Sequence, residues 1–279
     1  MPEAHKVARG TQACQGLLCA LLLLPSGTLP LSQPPALFSC FASISGGQWG
    51  VSTSKMKAGK QRKILVERIP GPFVTLYEKA TRMAIETYYV PVAKEVVANL
   101  KGGHILDLGT GPGYLPIEIV KRSPHIRIHG IDLSRRLIEK ARSNASRAGV
   151  SEQLHFEVGN ASRLKFDDES FDMVISTGMF HTLKDPIKVL KECNRVLKQG
   201  GKAWIYDPAR VTSQIDIREW KAAFTFREKF MYVLFLLFAK INPGRIYERE
   251  QVATMIETAH FREYEIQKEG NEIRIKLTK

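Results

Sequence analysis

The sequence is short of cysteine, of acidic charge and of long apolar runs, and each shortage excludes something. Four cysteines, Cys14, Cys19, Cys40 and Cys193, form no CxxC pair and show no zinc-like spacing with the seven histidines. They imply no disulfide framework and no resident metal, and a reducing, cytoplasmic setting follows as the default. Acidic residues number 28 against 41 basic ones, for a net charge of +13. Much of that excess is local, because Lys6, Arg9, Lys55, Lys57, Lys60, Arg62 and Lys63 face Glu3 alone within the first 63 residues. The remainder is only mildly basic, so no dedicated nucleic-acid binding is expected. No apolar run reaches the roughly 20 residues that cross a bilayer. What is present, 44% hydrophobic and 25% charged residues in 279 positions, suits one generous domain or one domain with an appendage.

Two segments differ in composition. Residues 1–55 carry the signal-like run "GLLCALLLLP" and then a Pro/Ser/Gly-rich stretch with no small-x-small cleavage site close behind. They read as a disordered or weakly hydrophobic leader, with a start of the working protein at Met56 as one alternative and a secretory signal as another. From residue 74 "TLYEKATRMAIETYYVPVAKEVVANL" predicts helix to about residue 100, broken or kinked at Pro91.

Strands and helices then alternate. "HILDLGT", "IRIHGIDLS", "LHFEVGN", "FDMVISTG" and "KAWIYDP" read as strands. "YLPIEIVKRS", "RRLIEKARSNASRAGV" and "DPIKVLKECNRVLKQGG" read as helices, the last two stopped by glycine. Such alternation predicts an α/β, Rossmann-like, mostly parallel sheet with helices on both faces. The tail, "REYEIQKEGNEIRIKLTK", reads as a β-hairpin that adds an antiparallel terminal strand, for seven strands in all.

The stretch "HILDLGTGPGYLPIEIV" is a strand, a glycine turn and a helix, the opening of a nucleotide-shaped pocket. Its spacing, Gly109, Gly111 and Gly113, is GxGxG, and the bulky Tyr114 occupies the place where a dinucleotide fold wants its last small residue. No Gly-Lys-Ser/Thr follows, which excludes a P-loop. Asp107 stands two residues before the first glycine, where it would repel a pyrophosphate and suit a cationic amino group. The pocket therefore fits a nucleoside that lacks phosphates.

"LDLGTGPG" resembles the first motif of class I S-adenosyl-L-methionine-dependent methyltransferases. Asp132 in "GIDLS" resembles the acidic residue that in the family binds both ribose hydroxyls. "GNAS" followed by "FDDESFDMVIS" resembles the loop bordering adenine, with Asn160 where the family commonly has aspartate. "VLKECNRVLKQGGKAWIYD" is similar to the small-molecule, ubiquinone–menaquinone-like (type 11) branch. The resemblance covers about residues 75–279 and implies S-adenosyl-L-methionine as cofactor. It also implies a cofactor-binding set of Asp107, Gly109, Thr110, Gly111, Gly113, Tyr114, Asp132, Leu133, Asn160, Ala161 and Thr177. Thr177, Gly178 and Met179 then fall where the family places substrate-facing residues, and His181 matches a histidine found there in many small-molecule members.

His181 is the preferred general base, with a pocket-lining or capping role as its alternative; Asp207 and Tyr114 are weaker candidates. The expected layout within residues 56–279 is N-terminal helices at 74–100, a cofactor-binding core at 101–207, a lid insertion at 208–247, and a helix with hairpin at 248–279. Within the insertion, residues 230–239 open with Phe230, close with Ala239 and are apolar on every face. They suit a lid over an apolar acceptor, a core or dimer contact, or contact with a membrane surface. The expected activity is in-line methyl transfer to a small hydrophobic or aromatic acceptor. A cofactor-binding scaffold without turnover and an NAD-dependent oxidoreductase are the alternatives.

Overall fold

Alternating apolar strands and amphipathic helices close into a seven-stranded sheet in the computed structural model, which describes residues 67–207, 225–230, 234, 245, 247–269 and 272–279. The strands are β1 (Gly103–Leu108), β2 (Ile126–Asp132), β3 (Leu154–Val158), β4 (Phe171–Thr177), β5 (Leu197–Asp207), β6 (Glu263–Glu269) and β7 (Glu272–Thr278). Their order is β3-β2-β1-β4-β5-β7-β6. The first five pair in parallel, while β7 runs antiparallel to both β5 and β6. The last strand of the chain thus sits inside the sheet, and β6 forms the edge. The leader and most of the expected lid insertion lie outside the described residues.

Neighbouring residues on a strand point to opposite faces, so a strand covered on both sides reads as a continuous apolar run. Ile105 and Leu106 are both fully buried, one in each of two hydrophobic clusters. Helices α1 (Val74–Met83), α2 (Val90–Asn99), α3 (Tyr114–Val120), α4 (Arg135–Arg147), α5 (Pro186–Val196) and α6 (Arg249–Thr258) supply the cover. Residues of α2, α3 and α4 pack into one cluster, and residues of α5 and α6 into the other. Cys193 is fully buried within α5, and burial pushes its thiol up to about 12, which makes it an inert packing residue. Among the described residues no helix is long and apolar enough to cross a membrane.

Local signals set most boundaries. The Ser134 hydroxyl accepts from the Leu137 amide to start α4, and Gly149, at φ 70°, turns the chain just after its end. The Asp185 side chain caps α5, with Pro186 in its first turn. Two expectations need correcting. The break between the N-terminal helices is a π-turn over Ile85–Tyr89, and Pro91 sits in the first turn of α2, where its missing N–H costs nothing. Helix α5 stops at Val196 rather than at the glycines. Leu197 pairs with Phe171 and is fully buried, so the strand begins there, and Gly200 lies in a bulge before pairing resumes between Lys202 and Met173.

Candidate cofactor and acceptor site

Strand order reverses between β1 and β4, and in such a sheet the crevice beyond the carboxyl ends of the strands receives the ligand. The turn after β1 is folded by its glycines: Gly109, Gly111 and Gly113 have φ of 72°, 55° and 78°. At Gly113 space matters as much as φ, because a Cβ there would lie 3.0 Å from Ala141 in α4 and from the Phe156 ring. The turn is stapled to β2. The amides of Gly109 and Thr110 both donate to the Ile131 carbonyl at 2.9 Å, and the Gly111 amide donates to Asp132 Oδ2 at 3.1 Å. Asp132 Oδ1 accepts from the Ser134 amide at 2.8 Å, so this carboxylate organises both the glycine turn and the entry to α4. Asn144 adds a side-chain N–H to the Pro112 carbonyl at 2.8 Å.

Asp107 lies beneath the turn, only 2% exposed, and its Oδ1 is buried without a hydrogen-bond partner. Burial pushes the carboxyl up to about 7, and the charge of Asp132 adds to the shift. The nearby Thr110 hydroxyl, itself buried without a partner in hydrogen-bond geometry, offsets only part of it. Burial raises Asp132 as well, while its two backbone donors favour the charged form. Asp107 and Asp132 are thus close enough for the charge of one to raise the other, a pair of acceptors suited to a ligand with a cationic amine and hydroxyls.

The cavity beside the turn brings together Gly109, Asp132, Leu133, Asn160, Ala161 and Thr177 from the expected set, with Gly178 and Met179. Gly111 belongs to the turn beside it, and Asp107 and Thr110 are buried and do not line it. The Asn160 side-chain oxygen accepts from the Ser162 amide at 2.9 Å, which fixes its loop. Gly113 and Tyr114 do not line the cavity. Tyr114 opens α3, its hydroxyl donates to Glu78 at 2.8 Å, and its ring lies against Tyr89, so it joins the helix-side core. The first turn of α3 directs the Tyr114 side chain toward α1.

Tyr77 of α1 lines the cavity and was not picked out by sequence reasoning, since one tyrosine at helical spacing looks like any core residue. A Cβ on Gly111 would lie 3.7 Å from its ring. Burial and the charges of Asp132 and Asp107 raise its phenol, which stays a neutral donor. Glu67, Arg68 and Ile69 complete that wall, and only their place in the fold reveals them.

Beyond β4 the chain makes a short turn, and His181 meets the end of β5. His181 Nδ1 lies 2.8 Å from Asp207 Oδ1, and the His181 backbone amide donates to Asp207 Oδ2 at 2.8 Å. Asp207 is buried and the imidazole is 29% exposed, so a held carboxylate orients an accessible ring. With Nδ1 donating to the carboxylate, the neutral form of the ring has its lone pair on Nε2. His181 does not line the cavity itself, but Met179 and Thr182 on either side of it do.

The strand order, the glycine turn and the acidic residue ending β2 define the architecture of class I S-adenosyl-L-methionine-dependent methyltransferases. A protein described as an S-adenosyl-L-methionine-dependent methyltransferase, from Methanococcus maripaludis, superposes with a TM-score of 0.60 at 20% identity, covering 82% of this chain and 97% of that one. Residues 99–269 match the family described as "Methyltransferase domain", and the chain belongs to that family. Among curated relatives, the demethylmenaquinone methyltransferase of Thermotoga maritima is 29% identical over 54% of this chain and 63% of its own length. The ubiquinone/menaquinone biosynthesis C-methyltransferase of Geobacter sp. is 31% identical over 49% of this chain and 59% of its own. In both, the chain spans less than two thirds of the relative's length.

Proposed function

We propose that the protein transfers a methyl group from S-adenosyl-L-methionine to a small, hydrophobic or aromatic acceptor. The observation that carries this reading is the pairing of the orphaned, buried Asp107 with Asp132 around a glycine turn, an arrangement that favours an ammonium and ribose hydroxyls over phosphates. When bound, the cofactor supplies a methyl group made electrophilic by the sulfonium. Asp107 holds the amino group, Asp132 accepts from the ribose hydroxyls through lone pairs beyond its two backbone bonds, and Asn160 meets the adenine edge. Leu133, Ala161 and Thr177 form walls. Asp107 before the first glycine, and the bulk of Tyr114 where a dinucleotide fold wants a small residue, disfavour a pyrophosphate, which supports this reading over an NAD-dependent oxidoreductase.

The protein's own contribution to catalysis is alignment and exclusion of water, with the acceptor atom held in line with the methyl group. For an oxygen or carbon acceptor, His181 Nε2 takes the acceptor proton while Asp207 keeps Nδ1 as the donor. The printed names of the two curated relatives concern quinone methylation, which supports a ring-containing apolar acceptor here. The test is incubation of the full-length chain with methyl-labelled cofactor and a lipid-soluble metabolite extract. Label in an apolar small molecule, lost in the His181→Ala variant, is the expected result. Label only in protein or nucleic acid contradicts the acceptor class.

A further inference from the structure

Strand pairing brings together three metal-ligating residues that are far apart in sequence, which is why spacing along the chain gives no hint of them. In the parallel β2–β3 pair His129 stands opposite His155, and Ile131 opposite Glu157. Side chains alternate along a strand, so His155 and Glu157 share one face of the sheet with His129. The two imidazole rings are 4.5 Å apart, and His129 Nε2 lies 3.3 Å from Glu157 Oε1. One ligand atom from each of the three residues falls within 4.8 Å of the other two. His129 Nε2 is buried, and Glu157 Oε1 faces it without hydrogen-bond geometry.

We propose that His129, His155 and Glu157 bind one divalent transition metal of the zinc class, leaving a fourth coordination position open to water. Two imidazoles and a carboxylate are a donor set such metals accept. Tetrahedral coordination with bonds of about 2.0–2.2 Å separates neighbouring donors by roughly 3.3–3.5 Å. The His129–Glu157 pair already has a 3.3 Å separation, and the exposed His155 needs only a side-chain adjustment to close the set. Phe166 meets the His129 ring edge-on at 4.6 Å and fixes its plane. His129 and His155, though not Glu157, also line a cleft of about 420 Å³. Because β3 is an edge strand, the metal clamps the open edge of the sheet to β2. None of the three residues lines the cofactor cavity, so the inference is independent of the proposed methyl transfer.

The test is equilibrium dialysis of the full-length, reduced, metal-stripped chain against Zn²⁺, with bound metal counted by mass spectrometry. Absorption of the Co²⁺-substituted protein reports the ligand type. One Zn²⁺ per chain is expected, weakened at least tenfold in both His155→Ala and Glu157→Gln, with a tetrahedral Co²⁺ spectrum free of a thiolate band. The melting temperature of each metal-free variant should match that of the metal-free wild type; if His155→Ala melts lower, Glu157→Gln carries the comparison. Absence of bound Zn²⁺, unchanged affinity in the variants, or a thiolate band from Cys14, Cys19 or Cys40 would overturn the site.

Discussion

Asp207 grips His181 twice, taking the ring Nδ1 on Oδ1 and the backbone amide on Oδ2, both at 2.8 Å. The carboxylate is the last residue of β5 and almost fully buried, so the ring orientation is fixed by the sheet rather than by the turn that carries it. Asp207→Asn keeps the shape but removes the charge and invites the wrong tautomer. For an oxygen or carbon acceptor, the methyl-transfer rate should fall by about 10²-fold or more, as for loss of a general base. Cofactor affinity should stay within about twofold. Single-turnover rates and calorimetric affinities of the two proteins separate these effects.

Asp107 gives the ligand-free protein an unusual pH dependence. Its folded value of about 7 lies above the ordinary 3.8, so between these values the folded protein holds a proton that the unfolded chain has released. Stability from this group is therefore present below about pH 4 and is lost as pH rises through about 7, by an amount on the order of 4 kcal/mol. Urea unfolding of wild type and Asp107→Asn across that interval should show the decline in the first and a flatter profile in the second. A cationic ligand restores the charged carboxylate. Cofactor binding near pH 6 should therefore release protons, detectable as a dependence of the binding heat on buffer.

Asp132→Ala should weaken cofactor binding by more than tenfold. It should also destabilise the free protein by about 2 kcal/mol, since the amides of Gly111 and Ser134 lose a charged acceptor. Titration calorimetry and chemical denaturation of the same variant measure the two losses. Unchanged affinity with reduced stability would leave Asp132 only its part in holding the turn.

Two glycines with similar φ should respond differently to alanine. At Gly113 a Cβ meets Ala141 and Phe156 at 3.0 Å, whereas at Gly149 nothing lies within 4 Å. Gly149→Ala should cost roughly 1 kcal/mol, from left-handed backbone alone. Gly113→Ala adds overpacking and should cost about 2–4 kcal/mol in all. Denaturant midpoints for the pair test this.

The parts of the site legible in the sequence are those in which chemistry is local. Asp107, three glycines and the following helix lie within fourteen residues, and Asp132 ends the next strand, so charge and spacing alone separate this pocket from a phosphate site. The parallel sheet was legible because its strands are continuous apolar runs divided by capped helices. Relationships between distant strands were not legible. The grip of Asp207 on His181 requires β4 beside β5, and the gathering of His129 with His155 and Glu157 requires β2 beside β3. Tyr77 looks like a helical core residue until α1 is laid across the glycine turn. The early start of β5 was hidden because Leu197 continues the helical period of α5 and is claimed by Phe171 only in the folded sheet.

The central claim is that Asp107 selects a phosphate-free, cationic nucleoside whose ribose Asp132 holds. Titration calorimetry of the full-length chain with S-adenosyl-L-methionine, S-adenosylhomocysteine and NAD tests it most directly. Saturable binding of the first two, weakened by Asp132→Ala, with no heat from NAD is the predicted result. Binding of NAD, or of none of the three by the folded protein, would contradict it.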